Sequence, residues 1–308
     1  MDGERLSVGL IGWGTVGSAF GRLVLDGPLP IRLAGIAVRN RKRDDLPDDV
    51  PLVTPEEALD NDVVVELAGG LDGPREWARA ALDRGTPYVT ANKALLATHG
   101  GELAEIAERR VAALLGSASV GGGTPMIELT DHLAATGQVA RLRGLVNATT
   151  TYILGAMGDG RSYADALAEA QEAGYAEADA SFDVGGRDAA QKLAILASVA
   201  WGRWRSESDV ATTGIVGREV EPGSVVRLVA EATPAGMTVA PAELASDDAL
   251  AGASGIESIL EVSLDDGSTF RVSGPGAGGR VTAGAVYGDL ARLVAGERPV
   301  LFARGSAG

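Results

Sequence analysis

The sequence predicts an α/β domain on a parallel sheet, followed by a second domain of α+β type. Three observations point there. Short apolar runs alternate with amphipathic helical stretches through the first part of the chain. A glycine-spaced turn joins the first run to the first helix. Past residue 130 the alternation stops, and helices are followed by a pair of strands with a hairpin signal.

Leu6 to Ile11 is a short apolar run that reads as a buried strand. Gly12, Gly14 and Gly17 follow at GxGxxG spacing, and Val16, Phe20, Leu23 and Val24 form the apolar face of a helix. "IRLAGIAVRN" is a second strand and "DVVVELAGG" a third, ending in a glycine-rich turn. "PREWARAALDRG" is a helix stopped at Gly85, "TPYVTANK" a further strand, and "GGELAEIAERRVAALLG" another helix. In the second half, "VARLRGLVNATTTYIL" is a strand running into a helix. "SYADALAEAQEAG" is an amphipathic helix, and "RDAAQKLAILASVAWG" a largely buried one. "IESILEVSLDDGSTFRVSGPG" is a pair of strands joined through "DDGS", and "TAGAVYGDLARLVAG" is a closing helix that packs back on the first. The expected domains are 1–130, completed by the C-terminal helix 281–308, and 131–280.

Composition narrows the class. The 308 residues suffice for two connected domains. There is no cysteine, which excludes disulfides and thiolate metal sites. A net charge of −15 repels phosphate backbones, so nucleic acid is not an expected partner. No secretory leader is legible, and no apolar run reaches the roughly 18 residues of a membrane span. A soluble, cytoplasmic protein is expected.

Placed between a strand and a helix, the glycine turn is the fingerprint of a Rossmann-type dinucleotide-binding domain. Gly12 allows the tight turn, Gly14 the approach of the pyrophosphate, and Gly17 the contact of helix with strand. Trp13, Thr15 and Val16 complete the loop. After the second strand an acid would favour NAD. The chain instead has Arg39, Arg41, Lys42 and Arg43, whose charges suit the 2′-phosphate of NADP, with NAD as the alternative.

Lysine occurs three times, at 42, 93 and 192, against 24 arginines. Scarcity alone also fits a genome or solvent bias. Lys93 falls at the end of a predicted strand, on the side where open α/β sheets bind ligands. Lys192 ends "GYAEADASFDVGGRDAAQK", behind Glu177, Asp179, Asp183 and Asp188. Asp188 and Lys192 stand at i and i+4, on one helical face beside an apolar one. An ordinary surface pair of this kind, worth roughly 0.3–0.5 kcal/mol, needs neither the double glycine nor the upstream acids. "SASVGGGTP" could ring a hard cation with carbonyls or be a tight turn. His99 and His132 are isolated and are given no role.

Six blocks, "GLIGWGTVGSAF", "VVVELAGG", "YVTANKALLA", "ASVGGGTPMI", "GYAEADASFDVGGRDAAQK" and "GPGAGGRVTAGAVYGDL", together resemble homoserine dehydrogenase, in that family's order. The chain is similar to the short form without a C-terminal ACT domain. The resemblance implies hydride transfer between a nicotinamide cofactor and the homoserine/aspartate-semialdehyde pair. It implies that Lys192 and Lys93 are the catalytic and substrate-orienting amines. Glu177, Asp183 and Asp188 would surround the substrate, with Glu177 on its ammonium, and Tyr175 and Thr149 would line the pocket. Gly278 would lie near the cofactor. Carbonyls of Ser117, Val120, Gly122 and Thr124 would match a site for Na⁺ or K⁺. The second domain would dimerise. Such an arrangement suits acid–base chemistry, because Asp188 would hold the Lys192 amine charged as a proton donor. Departures from the family pattern are Ala148, Thr151, Ala178, Ala180 and Ser117, and they leave room for another small amino or hydroxy acid as substrate. A nucleotide-binding regulator without turnover is the remaining alternative.

Overall fold

The computed structural model describes residues 5–39 and 45–302. Arg41, Lys42 and Arg43 lie outside the described residues, and Arg39 lies within them. The chain divides into two compact units, Met1–Gly123 with Gly278–Gly308, and Thr124–Ala277.

The first unit opens with β1 (Leu6–Ile11), α1 (Thr15–Asp26), β2 (Ile31–Ala37), β3 (Leu52–Val53) and α2 (Pro55–Ala58). It continues with β4 (Val63–Glu66), α3 (Asp72–Asp83), β5 (Tyr88–Thr90), α4 (Lys93–Arg110) and β6 (Leu114–Leu115). The six strands lie in the order β3-β2-β1-β4-β5-β6, every neighbouring pair parallel. Buried on both faces, such strands read as continuous apolar runs, as Val63, Val64 and Val65 of β4 do before it ends on the buried Glu66. The strand order reverses between β1 and β4, so a crevice is expected beyond the ends of these two strands.

The structure departs from the sequence expectation at both ends of α4. Lys93 does not end a strand. β5 stops at Thr90, and Lys93 is the first residue of α4, because Asn92 caps that helix by accepting the Leu95 N–H at 3.1 Å. The helix expected over "GGELAEIAERRVAALLG" starts earlier and stops at Arg110. Val111 adopts a left-handed conformation (φ 56°) that ends it, and buried Leu114–Leu115 pairs with β5. An apolar run this short has no periodicity to distinguish a strand from the end of a helix.

The second unit holds α5 (Met126–Thr136), β7 (Val139–Leu145), α6 (Ala148–Gly158), α7 (Tyr163–Glu172), α8 (Ser181–Val184) and α9 (Arg187–Trp201). Then follow β8 (Val210–Thr212), β9 (Val226–Thr233), β10 (Gly236–Glu243), β11 (Glu257–Leu264) and β12 (Thr269–Pro275). The sheet order is β12-β11-β7-β9-β10-β8, antiparallel apart from the β10–β8 pair. The expected β11–β12 hairpin is present. Helix α5 and strands β8 to β10 were not legible. Helix α9 packs against β7 to β10 and is buried from Asp188 to Ala200, with only Lys192 breaking the run.

The chain then returns to the first unit as α10 (Gly279–Val294). Val286, Leu290 and Leu293 share a core with Phe20 and Val24 of α1. Among the described residues no helix is long and apolar enough to cross a membrane.

Candidate active site

In the first unit the glycine turn has the geometry a dinucleotide needs. Gly12 sits at φ 105°, and a Cβ there would fall 2.6 Å from the Ala68 nitrogen, so no other residue fits without movement. Gly14 differs. Nothing lies within 4 Å of where its Cβ would be, which leaves the space at the N-terminus of α1 open. That helix has no side-chain cap, so its first N–H groups are available to an anion.

A cavity of about 540 Å³ adjoins this turn, lined by Gly12, Trp13, Gly14, Arg39, Leu67 and Trp77 among others. The indole of Trp13 is buried and stacks against α1 at Gly21, while Val16 packs on the core. These two side chains therefore shape the loop from behind. Arg39 stands exposed two residues beyond β2 and lines the cavity, at the place where a carboxylate would favour a free ribose. Thr15 meets the start of α10, since a Cβ on Gly279 would fall 2.6 Å from its Cγ2. Gly278 caps α10 beside it at φ 137°. Lys93 lies half-buried at the start of α4.

In the second unit, Lys192 is held tightly. Its Nζ lies 2.8 Å from Asp188 Oδ2 and donates to the Val146 carbonyl at 2.8 Å. The two side chains are 14% and 6% exposed, so this is not a solvated surface pair. Asp188 does not cap its helix. The N-cap is Gly186, left-handed at φ 82°, and the Asp188 carboxylate turns to its neighbours instead. Asn147 donates its side-chain N–H groups to Asp188 Oδ2 and Asp183 Oδ1, both at 2.7 Å. Its Oδ1 meanwhile caps α6 through the Thr150 N–H at 2.8 Å. One amine, two carboxylates and one carboxamide thus form a connected cluster, with two of the three ammonium N–H bonds engaged.

Thr149 donates its hydroxyl to the Tyr175 carbonyl at 2.7 Å, which ties the loop after α7 to the start of α6. The Tyr175 ring packs on Tyr152 at 5.1 Å and stays 41% exposed. Glu177 lies further along this loop, exposed. Its backbone carbonyl accepts from Gln171 at 3.1 Å, so the structure places it near Tyr175 but not inside the lysine cluster. Of the departures, Thr151 is buried and donates back to the Asn147 carbonyl at 3.0 Å, and Ala148 begins α6.

The Ser117 hydroxyl and N–H donate to the buried Asp289 of α10, at 2.6 and 3.1 Å. Val120 is buried, and Gly122 is left-handed at φ 60°. Thr124 begins the second unit, and its carbonyl accepts the Met126 N–H at 2.7 Å. Among the described residues no three His, Asp or Glu side chains form a metal-binding group. A cation here would depend on backbone oxygens.

Asn147, Asn92 and Asp289 were missed as site residues. Both asparagines directly precede a helix, which is an N-cap signal, but nothing in the sequence says which acids the remaining amide atoms reach. Asp289 carries no local signal at all.

The chain is similar to proteins of one family along nearly all its length. A family model described as homoserine dehydrogenase matches residues 125–291, and one described as homoserine dehydrogenase, NAD binding domain, matches 12–115. The chain is 36% identical to homoserine dehydrogenase of Corynebacterium glutamicum, over 94% of this chain and 72% of that one. It is 36% identical to homoserine dehydrogenase of Mycobacterium tuberculosis, over 99% and 75%. A homoserine dehydrogenase structure from Thiobacillus denitrificans superposes with a TM-score of 0.89 at 33% identity, over 94% and 73%. A hyperthermophilic archaeal homoserine dehydrogenase in complex with NADPH gives 0.85 at 27%, over 96% and 99%. With both family models matched and relatives similar along nearly all its length, the chain belongs to the homoserine dehydrogenase family, NAD(P)-dependent oxidoreductases that act on a CH–OH group.

Proposed function

We propose that this protein interconverts L-homoserine and L-aspartate 4-semialdehyde with NADP as cofactor, using Lys192 as the proton-transferring group. The observation behind this reading is the buried amine of Lys192, paired with Asp188 at 2.8 Å and not dispersed on the surface.

The first unit suits the dinucleotide. The open space at Gly14 accepts a pyrophosphate, the N–H groups of α1 face it, and Arg39 supplies charge for a 2′-phosphate. When bound, the cofactor supplies or accepts the hydride. The residues of this chain supply the rest. In reduction Lys192 donates a proton to the aldehyde oxygen as negative charge builds there, and in oxidation it takes the proton back from the hydroxyl. Asp188 offsets the charge of the amine, and Asn147 keeps Asp188 and Asp183 from turning away. Lys93 orients the substrate, Glu177 pairs with its ammonium, and Tyr175 and Thr149 wall the pocket. Positioned acid–base catalysis of this kind contributes about 10²- to 10⁴-fold.

The same reading includes a homodimer formed through the second unit. It also includes a Na⁺ or K⁺ ion on the carbonyls of Ser117, Val120, Gly122 and Thr124. The experiment is a steady-state assay of homoserine oxidation with each nicotinamide in turn, alongside a panel of small amino and hydroxy acids. Homoserine with NADP is expected to give the highest kcat/KM. Homoserine as the poorest substrate, or NAD as the better cofactor, would overturn the corresponding part.

A further inference from the structure

Glu66 ends β4 at the sheet's ligand-binding edge, paired in register with Ile11 of β1 just before the glycine turn. Its side chain is fully buried, at 0% exposure. Burying a carboxylate costs free energy unless its lone pairs are satisfied. Here they are met by neutral donors. Oε1 accepts the N–H groups of Ala68 and Gly69 at 2.7 and 2.8 Å, and Oε2 accepts the Thr90 hydroxyl at 2.8 Å. The Thr90 oxygen accepts the Asn92 N–H at 3.0 Å. Asn92 donates its side chain back to the Gly70 carbonyl at 2.7 Å while capping α4. The ring closes on itself: Glu66, the turn 67–70, Asn92, Thr90 and Glu66 again.

This ring joins two functional surfaces of the first unit. One is the turn after β4, where Leu67 and Ala68 line the cofactor cavity and press against Gly12. The other is the first turn of α4, which begins at Lys93. We propose that Glu66 is a positioning residue, its buried carboxylate locking the cofactor-side turn and the helix start bearing Lys93 into one geometry. An apolar side chain could fill the same volume, but it could not accept from three donors on two different segments. The inference rests on the reading of Lys93 as the substrate-orienting amine.

The test is a double-mutant cycle with Glu66→Gln and Lys93→Ala, measuring kcat and KM for homoserine, NADPH binding by fluorescence, and thermal melting. Glutamine keeps the shape but accepts at one atom only, so either the Ala68 and Gly69 N–H groups or the Thr90 hydroxyl loses its acceptor. Misplacement of an orienting group is expected to lower kcat/KM for homoserine by about 10- to 100-fold. Most of that loss should vanish in the Lys93→Ala background, because the two residues act through one geometry. Thr90→Val should act in the same direction, and Thr90→Ser should restore activity. If Glu66→Gln does not fold, Thr90→Val takes its place in the cycle. An effect under about twofold, or an equal fold-loss in both backgrounds, overturns the inference, since a merely structural residue is additive with Lys93. Unchanged kinetics for Lys93→Ala alone would instead remove the reading of Lys93, and the inference with it.

Discussion

The Asn147 side chain lies 2.7 Å from Asp188 Oδ2, across 41 residues of sequence, and fixes the carboxylate that holds Lys192. Asn147 has two separable jobs, a cap on α6 and a bridge between Asp183 and Asp188. Serine keeps the cap and loses the bridge, whereas alanine loses both. Both variants are expected to lower kcat, by about 10- to 100-fold. Asn147→Ala should be about 1 kcal/mol less stable than Asn147→Ser, the contribution of the cap, measured by denaturant unfolding. Full activity in Asn147→Ser would show that the bridge is dispensable.

The glycine turn separates folding from binding. Gly14→Ala adds a methyl into empty space at φ −84°, so stability should change by less than about 0.5 kcal/mol. The methyl occupies the approach of the pyrophosphate, and NADPH affinity should fall about tenfold or more. Gly12→Ala should instead destabilise the fold by about 1–3 kcal/mol, because φ is 105° and the Cβ meets the Ala68 nitrogen at 2.6 Å. Melting curves and NADPH titrations on both variants check the contrast.

Among the described residues that line the cavity at the glycine turn, Arg39 is the cation. Arg39→Ala is expected to weaken NADP binding about tenfold, the loss of one hydrogen bond to a charged group, and to leave NAD binding unchanged. Equal losses for both cofactors would mean that Arg39 does not read the 2′-phosphate.

Away from the site, Arg143 of β7 forms a bidentate pair with Asp248 at 2.6 and 2.9 Å. The Arg143 hydrogen bonds hold the Asp248 carboxyl below its usual range. The folded state therefore favours the charged form. Its stabilisation is complete above the unfolded value near 3.9 and is lost as pH falls through the lower folded value. Asp248→Asn should cost about 2 kcal/mol at neutral pH. The gap between variant and wild type should close as pH drops below about 4, measured by urea unfolding across that range. A gap that stays constant would contradict this.

Legibility followed the range of the interactions. β1, the glycine turn, α1 and β4 could be read because strand and helix periodicity are local, and a parallel sheet buries whole apolar runs. Asp188 and Lys192 could be paired because i,i+4 spacing on a helix is local too. Lys93 falls at a helix start and not at a strand end because the Asn92 cap opens α4 inside "TANKALL", and a single cap carries no periodicity. β9 and β10 were missed because Arg227 and Pro241 interrupt their short apolar runs and hide the strand alternation. Asn147, Asp289 and Glu66 act on residues tens of positions away or more, or through a turn whose shape only the fold defines. No periodicity records such contacts.

The most direct measurement is the turnover of Lys192→Ala with homoserine and NADP, set beside its affinity for NADPH. The account expects kcat to fall about 10²- to 10⁴-fold while NADPH binds as in the wild type. Turnover within a few-fold of wild type would contradict the assignment of the Lys192 amine as the proton-transferring group.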